Sequence, residues 1–105
     1  MEMKFTTANF EEEVLKSEIP VLVDFYSDTC IPCKMVSATL GDIADEYEDK
    51  IVVYKVNVNF EADLAAQYQV MAAPTIVSFY QGKETGRTRG AVGKDEITAL
   101  FADHI

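Results

Sequence analysis

Several residue types are scarce in this 105-residue chain, which has two cysteines, one histidine and no tryptophan. With only two cysteines, no second disulfide can form within the chain and no thiol is left over. The single histidine, His104, is distant in sequence from both cysteines, whereas a closed zinc site needs four ligands. A zinc half-site is therefore a weak explanation of the cysteine pair, and we expect neither a metal nor an organic cofactor.

Positive charge is scarce as well, since nine basic residues stand against 18 acidic ones and the formal net charge is −9. Such a surface repels phosphate backbones and anionic lipid surfaces. The start of the chain lacks a basic segment followed by an apolar one, and no apolar run approaches the length of a membrane span. We therefore expect a cytoplasmic protein that binds neither nucleic acid nor membranes.

The length and composition of the chain fit one domain. Its 105 residues, of which 49% are hydrophobic, are enough to build a core without cross-links. The sequence contains no linker, internal repeat or low-complexity tract. We expect a single domain over residues 1–105 that is a monomer.

What the chain does have is a Cys-x-x-Cys motif, Cys30-Ile31-Pro32-Cys33, between an apolar segment and a helix-patterned one. Closing so short a loop constrains the unfolded chain by only roughly 2 kcal/mol, against about 4 to 5 for a long loop. A structural cross-link is therefore a poor explanation, although two unrelated buried thiols remain an alternative. Because the cytosol keeps structural thiols reduced, the motif favours a redox-active pair.

Hydrophobic patterning places the motif between a strand and a helix. Residues 21–26 are apolar except for Asp24, which is typical of a central strand covered on both faces. Apolar residues then recur at steps of three and four over 33–47, which predicts one face of a long helix. Further strands are predicted over 51–58, 74–80 and 84–90, and further helices over 9–17 (capped by Asn9), 60–68 and 95–102.

The order of these elements predicts an α/β fold. Strands that alternate with helices require a sheet with helices on both faces. A hairpin around the turn Gln81-Gly82-Lys83 adds antiparallel strands at one side of that sheet.

The predicted helix start gives the two thiols different roles. Unpaired N–H groups and the positive end of the helix dipole lower the pKa of a thiol held there, so Cys30 is the candidate nucleophile. Cys33, one helical turn further on and on the apolar face, is the candidate resolving thiol that releases the reduced substrate. Pro32 suits the first turn of a helix, where its missing N–H costs nothing, and should also restrict the loop.

Asp24 interrupts an otherwise apolar strand. An unpaired buried carboxylate is costly, so its pKa should rise toward neutrality, where the group can accept a proton. The alternative is an ordinary aspartate exposed at a sheet edge.

Taken together and in order, these features resemble the thioredoxin family. The residues that carry the resemblance are Val23-Asp24-Phe25, the motif with Lys34-Met35, Lys55, Ala73-Pro74-Thr75, Gly82 and Gly90-Ala91. The resemblance implies a mixed five-stranded sheet flanked by four helices and a protein disulfide reductase that works by dithiol–disulfide exchange. It also implies a thioredoxin reductase as the electron donor and disulfide-containing proteins as targets.

The resemblance further implies roles for individual residues. Asp24 would lie beneath the resolving cysteine and assist its deprotonation with Lys55 nearby, although Lys55 could instead be a plain surface lysine. The peptide bond before Pro74 would be cis, and the Ala73 backbone would pair with an extended substrate segment. The other candidates for substrate binding are Thr29, Ile31, Met71, Ala72, Gly90 and Ala91.

The sequence departs from the family pattern beside the first cysteine, where thioredoxins usually have tryptophan before it and glycine after it. This chain has Thr29 and Ile31 there, which alters the contact surface and stiffens the loop with a β-branched residue. Two alternatives to a general reductase stay open. One is a thiol donor or oxidase dedicated to one partner, and the other is a binding module that kept the fold without turnover.

Overall fold

Five strands form one mixed sheet within residues 2–4 and 10–105, which are the residues that the computed structural model describes. The strands are β1 (Glu2–Lys4), β2 (Val21–Tyr26), β3 (Val52–Asn57), β4 (Thr75–Tyr80) and β5 (Lys83–Arg89). Their spatial order is β1-β3-β2-β4-β5, with β3 parallel to β1 and β2, and β4 antiparallel to β2 and β5. Residue patterning predicts four of these strands, and only the family resemblance implies the three-residue β1.

Four helical segments accompany the sheet in the described part of the chain. They are α1 (Glu11–Leu15), α2 (Ile31–Glu46), α3 (Ala62–Gln67) and α4 (Lys94–Thr98), and a 3-10 turn follows at Ala102–His104. Together with the sheet, they confirm the predicted α/β fold class. No helix among the described residues is long and apolar enough to span a membrane.

The two terminal helices differ from their predictions. α1 has π-helical hydrogen bonding, and the predicted cap at Asn9 lies outside the described residues. The last helix is shorter than predicted, because after Thr98 the chain tightens to i−3 bonds such as Phe101 N–H to Thr98 O at 3.2 Å. This tightening is common at helix ends and lets the ring of Phe101 pack edge-on against Tyr47.

The turn between β4 and β5 is also tighter than predicted. Tyr80 pairs with Lys83, so the turn has two central residues, Gln81 and Gly82, and Lys83 belongs to β5. Both central residues have positive φ, 53° and 82°, which is the conformation that the twist of a two-residue hairpin favours.

The core lies on both faces of the sheet. One cluster packs side chains of α1 and α3 against the face that carries Val23 and Phe25 of β2. The second packs side chains of α2 and α4 against the opposite face, which carries Leu22 of β2. Since side chains alternate along a strand, Asp24 lies on the same face as Leu22 and therefore on the side of α2.

β2 has the central position that its apolar sequence predicts. Residues 21–25 are fully buried, and β3 and β4 pair with the strand on either side. The chain passes from Tyr26 at the carboxyl end of β2 into α2 through only four residues, 27–30. This short connection fixes the start of α2 above the carboxyl ends of the two central parallel strands, β2 and β3.

Candidate active site

A disulfide bond joins Cys30 to Cys33 at the start of α2. Cys30 is the cap residue of the helix, with extended backbone (φ −95°, ψ 112°), and its Sγ accepts a hydrogen bond from the Cys33 backbone N–H at 3.1 Å. A side-chain acceptor at the cap satisfies one of the N–H groups that a helix start leaves without an intrahelical partner. The sulfur of Cys30 is thus held at the helix start by a backbone N–H donor.

The two sulfurs differ in accessibility. Cys33 is only 4% exposed and lies on the buried face of α2 with Val36 and Leu40, as the apolar spacing predicts. Cys30 is half-buried, and Pro32 is exposed in the first turn of the helix. An incoming protein disulfide can therefore reach Cys30 directly, whereas Cys33 is accessible mainly from within the molecule.

Hydrogen bonds hold the short loop that precedes Cys30. The Cys30 N–H donates to the carbonyl of Ser27 at 3.4 Å. Side-chain amides at and just beyond the end of β3 bond the same loop, from Asn57 to Asp28 at 3.0 Å and from Asn59 to the Ser27 hydroxyl at 3.3 Å. The position of Cys30 is therefore fixed by the neighbouring strand as well as by α2.

Asp24 is fully buried on the central strand. The alternative of an aspartate exposed at a sheet edge is therefore wrong, because β2 has a neighbouring strand on each side. Asp24 is paired in register with Lys55 of β3, and Lys55 Nζ lies 4.0 Å from Asp24 Oδ2. The carboxyl group thus faces a cation on the same side of the sheet as α2.

Lys55 is not a plain surface lysine, since its side chain is only 16% exposed. Its Nζ donates a hydrogen bond to Ser37 Oγ of α2 at 2.8 Å and lies 5.0 Å from the centroid of the Tyr26 ring. The ammonium group therefore lies between the strand that carries Asp24 and the helix that carries Cys33.

A cleft of about 180 Å³ opens beside these groups. Its lining residues are Tyr26, Ser27, Asp28, Cys33, Lys34, Ser37 and Lys55. The volume is enough for several water molecules, at about 30 Å³ each in the liquid. The cleft thus offers a route for protons between the buried Cys33 and solvent, past the ammonium group of Lys55.

The Ala73–Pro74 segment approaches the disulfide from the other side. The peptide bond between these residues is cis, as the resemblance implies, and the Ala73 carbonyl oxygen lies 3.6 Å from Cys30 Sγ. The Pro74 carbonyl accepts a hydrogen bond from the Gly90 N–H at 2.9 Å. Gly90 has a φ of 81°, in the left-handed region that favours glycine, and its hydrogen bond places it beside the Ala73–Pro74 segment.

The remaining candidates for substrate binding differ little in exposure. Thr29, Ala72 and Ala91 are exposed, while Ile31 and Met71 are 72% and 93% exposed. Thr29 and Ile31 flank Cys30, and Met71 and Ala72 lead into Ala73. Ile31 and Met71 therefore expose apolar surface close in sequence to Cys30 and Ala73.

Comparison with known proteins decides the family. The thioredoxin family model matches residues 2–103. The chain belongs to the thioredoxin family. It is 39% identical over 100 residues to thioredoxin 1 of Nostoc sp., which covers 95% of this chain and 94% of that protein. The thioredoxin of Acidithiobacillus ferridurans is 43% identical over 93 residues, covering 89% and 86%.

Family membership and the cysteine geometry together give the activity. This thioredoxin-family chain is a protein-disulfide oxidoreductase that reduces protein disulfides through Cys30 and Cys33. Within the described residues, no group of three or more histidine, cysteine, aspartate or glutamate side chains could hold a metal ion.

Several residues of this thioredoxin-family site are not predicted from the sequence. Ser37 follows Cys33 by four residues, a spacing that places both on one helical face, but a lone serine carries no chemical signal. Asn57 ends β3 and Asn59 lies two residues beyond it, at the edge of the sheet where the motif also lies. Only the parallel pairing of β2 with β3 makes them neighbours of the Cys30 loop.

Proposed function

We propose that the chain reduces target disulfides in two exchange steps. The Cys30 thiolate attacks one sulfur of the target disulfide, forms a mixed disulfide with it and expels the other target sulfur as a thiolate. Cys33, once deprotonated, attacks the Cys30 sulfur and expels the second target thiolate, which leaves the Cys30–Cys33 disulfide. The observation that carries this proposal is the accessible Cys30 at the helix start with the buried Cys33 one turn away.

Asp24 is the proposed acceptor of the Cys33 proton. Its carboxyl group is buried on the face of the sheet that α2 covers, and Lys55 connects it to the cleft that Cys33 also lines. Burial disfavours the carboxylate, whereas the ammonium of Lys55 favours it. A carboxyl group under these opposed influences can exchange a proton during the reaction.

The target is proposed to bind as an extended segment along residues 71–74. Support comes from the Ala73 carbonyl beside Cys30 and from the exposed apolar side chains of Ile31 and Met71. Backbone pairing would supply affinity that depends little on target sequence. Gly90 and Ala91, which follow β5 beside Pro74, would border this groove on its far side.

The oxidised pair must be returned to the dithiol by an external two-electron donor. A thioredoxin reductase is the proposed donor, because the chain belongs to the family that such reductases serve. We further propose that residues 1–105 act as a single monomeric domain in the cytoplasm. These proposals rest on the resemblance and on the reduced state of cytosolic thiols.

A second candidate function is thiol exchange dedicated to one partner. Ile31 favours it, because an exposed β-branched residue between the cysteines replaces the glycine that thioredoxins usually have. Such a side chain narrows the range of surfaces that can approach Cys30 and could tune the redox potential of the pair.

The equilibrium reduction potential of Cys30–Cys33, measured against glutathione or dithiothreitol buffers, tests the proposal first. A potential near about −270 mV supports a reductase, whereas one between about −180 and −120 mV indicates an oxidant or isomerase and contradicts it. Turnover on unrelated substrates such as insulin then separates a general reductase from a dedicated donor.

Cys33→Ser should accumulate mixed disulfides with targets, and Cys30→Ser is the matched control that should form none.

A further inference from the structure

Ser37 connects the helix that carries the cysteines to the strand that carries Lys55. It lies one turn after Cys33 on α2, and its Oγ accepts a hydrogen bond from Lys55 Nζ at 2.8 Å. The exchange mechanism described above makes no use of this side chain, although both residues line the cleft beside Cys33.

Ser37 accepts a hydrogen bond from another element of the fold, whereas a neighbouring hydroxyl on the same helix donates one to its own helix. Hydroxyl side chains inside helices often bond back to the carbonyl four residues earlier. Thr39 does so, with its Oγ1 lying 3.4 Å from the Met35 carbonyl oxygen. Ser37 instead accepts a hydrogen bond from the sheet. Lys55 must be the donor of this bond, because an ammonium group cannot accept one.

The hydrogen bond to Ser37 determines where the charge of Lys55 lies. A lysine side chain is flexible and loses rotamer freedom when it is fixed in one position. Of the contacts described for Lys55 Nζ, the one to Ser37 at 2.8 Å is shorter than those to Asp24 Oδ2 at 4.0 Å and to the centroid of the Tyr26 ring at 5.0 Å. Without Ser37, the ammonium is free to extend into the cleft and away from Asp24.

We propose that Ser37 is a positioning residue, which holds the Lys55 ammonium against Asp24 and thereby sets the pH range in which Cys33 can resolve a mixed disulfide. This inference rests on the proposed proton-acceptor role of Asp24. The titratable and charged groups around the ammonium are Asp24 and Tyr26 of β2, Asp28 of the loop, and Cys33 and Lys34 of α2.

The sign of the effect follows from the charges. Lys55 favours the carboxylate form of Asp24, so moving the ammonium away leaves Asp24 protonated to a higher pH. A protonated Asp24 cannot accept the Cys33 proton. Loss of Ser37 should therefore slow the resolving step most on the acid side of its pH profile.

The test measures the resolving step alone. A thionitrobenzoate group is attached to Cys30 through a mixed disulfide, and its release by Cys33 is followed from about pH 5 to about pH 9 in wild type, Ser37→Ala and Ser37→Thr. Ser37→Ala should move the midpoint up by about half a pH unit and slow release about threefold on the acid side, because half a pH unit changes the ionised fraction of Asp24 about threefold there. Ser37→Thr keeps the hydroxyl and should stay close to wild type.

A double-mutant cycle with Lys55→Gln distinguishes positioning from a merely structural role. If Ser37 acts through Lys55, Ser37→Ala should have no further effect in the Lys55→Gln background, and Lys55→Gln alone should shift the midpoint at least as far. A wild-type profile for Ser37→Ala, or a full effect of Ser37→Ala without Lys55, overturns the inference. Alanine suits a helix interior, so a lower thermal midpoint without a change in profile also counts against it.

Asp24→Asn separates this inference from the function on which it rests. If Asp24→Asn alters the pH profile and Ser37→Ala does not, the positioning role fails and the proposed function stands. If Asp24→Asn leaves the profile unaltered, the proton-acceptor role and the positioning role fail together.

Discussion

Tyr54 and Lys55 are consecutive residues of β3 whose side chains lie on opposite faces of the sheet. Each donates a hydrogen bond to a side-chain oxygen of a helix, Tyr54 to Glu13 of α1 at 2.9 Å and Lys55 to Ser37 of α2 at 2.8 Å. On the Tyr54 face the donor is a neutral phenol. On the Lys55 face it is a cation beside a buried carboxyl group.

The difference lies in what each bond can do at neutral pH. Burial, and secondarily the hydrogen bond and negative charge of Glu13, raise the pKa of Tyr54 to about 12, so its phenol keeps its proton. That bond can only join the helix to the sheet. The bond from Lys55 to Ser37 places a positive charge beside Asp24, the proposed proton acceptor. One strand thus contributes to stability on one face of the sheet and to the proposed chemistry on the other.

Cys30→Ser should give the largest effect, a loss of activity without a loss of stability. Without the nucleophile no mixed disulfide forms, so insulin reduction should fall to background. The free energy of unfolding of the reduced protein should stay close to that of reduced wild type, because serine also caps a helix start. Residual turnover above a reagent blank would show that Cys33 can act alone and would contradict the division of roles.

Asp24→Asn tests the face of the sheet that carries Lys55 and the buried carboxyl group. The amide cannot accept a proton, so the rate of the resolving step at about pH 7 should fall about a hundredfold, the lower end of typical general-base effects. Urea unfolding should show no comparable loss of stability, because a buried carboxylate carries a desolvation cost that the amide avoids. A stability loss that parallels the loss of rate would indicate a structural role instead.

Tyr54→Phe removes the corresponding bond on the opposite face. Its loss should lower the free energy of unfolding by about 1 kcal/mol, the usual net contribution of one hydrogen bond. Glu13 is exposed and regains water as a partner, so no buried group is left unsatisfied. Disulfide reduction should stay within about twofold of wild type, and a larger fall would show that the two faces are coupled.

The pH dependence of stability should leave both faces unchanged at neutral pH and should appear only above about pH 10. The folded protein raises the pKa of Tyr54 from 10.0 to about 12. The proton is therefore bound more tightly in the folded state, so this stabilisation is complete below about pH 10 and is lost as the pH rises toward about 12. Ultraviolet titration should show one of the five tyrosines ionising last, and that step should be missing in Tyr54→Phe.

Much of the fold and the centre of the site could be predicted from local pattern. β2 and the buried face of α2 follow from an apolar run and from a helical spacing of apolar residues. β1 could not, because three residues are too few to show a period, and its pairing with β3 depends on distant parts of the chain. The end of α4 also depends on distant packing, that of Phe101 against Tyr47.

The residues of the site also divide into those with a local sequence signal and those that depend on long-range packing. Cys30, Cys33 and Asp24 are recognisable because a thiol pair at a helix start and a carboxylate in an apolar strand are unusual locally. Ser37 and Asn59 are ordinary residues in sequence, and they become part of the site only when β2, β3 and α2 come together. Residues that position others are therefore harder to predict than residues that react.

The cap of α2 has a thermodynamic consequence. Cys30 Sγ accepts the hydrogen bond that starts the helix, and a thiolate accepts such a bond more strongly than a disulfide sulfur. Reducing the pair therefore strengthens the helix start, and by linkage a stronger helix start favours the reduced pair. The redox equilibrium of the pair and the stability of this helical turn are thus linked, so a substitution that strengthens the hydrogen bond more in the dithiol form than in the disulfide form makes the protein a weaker reductant.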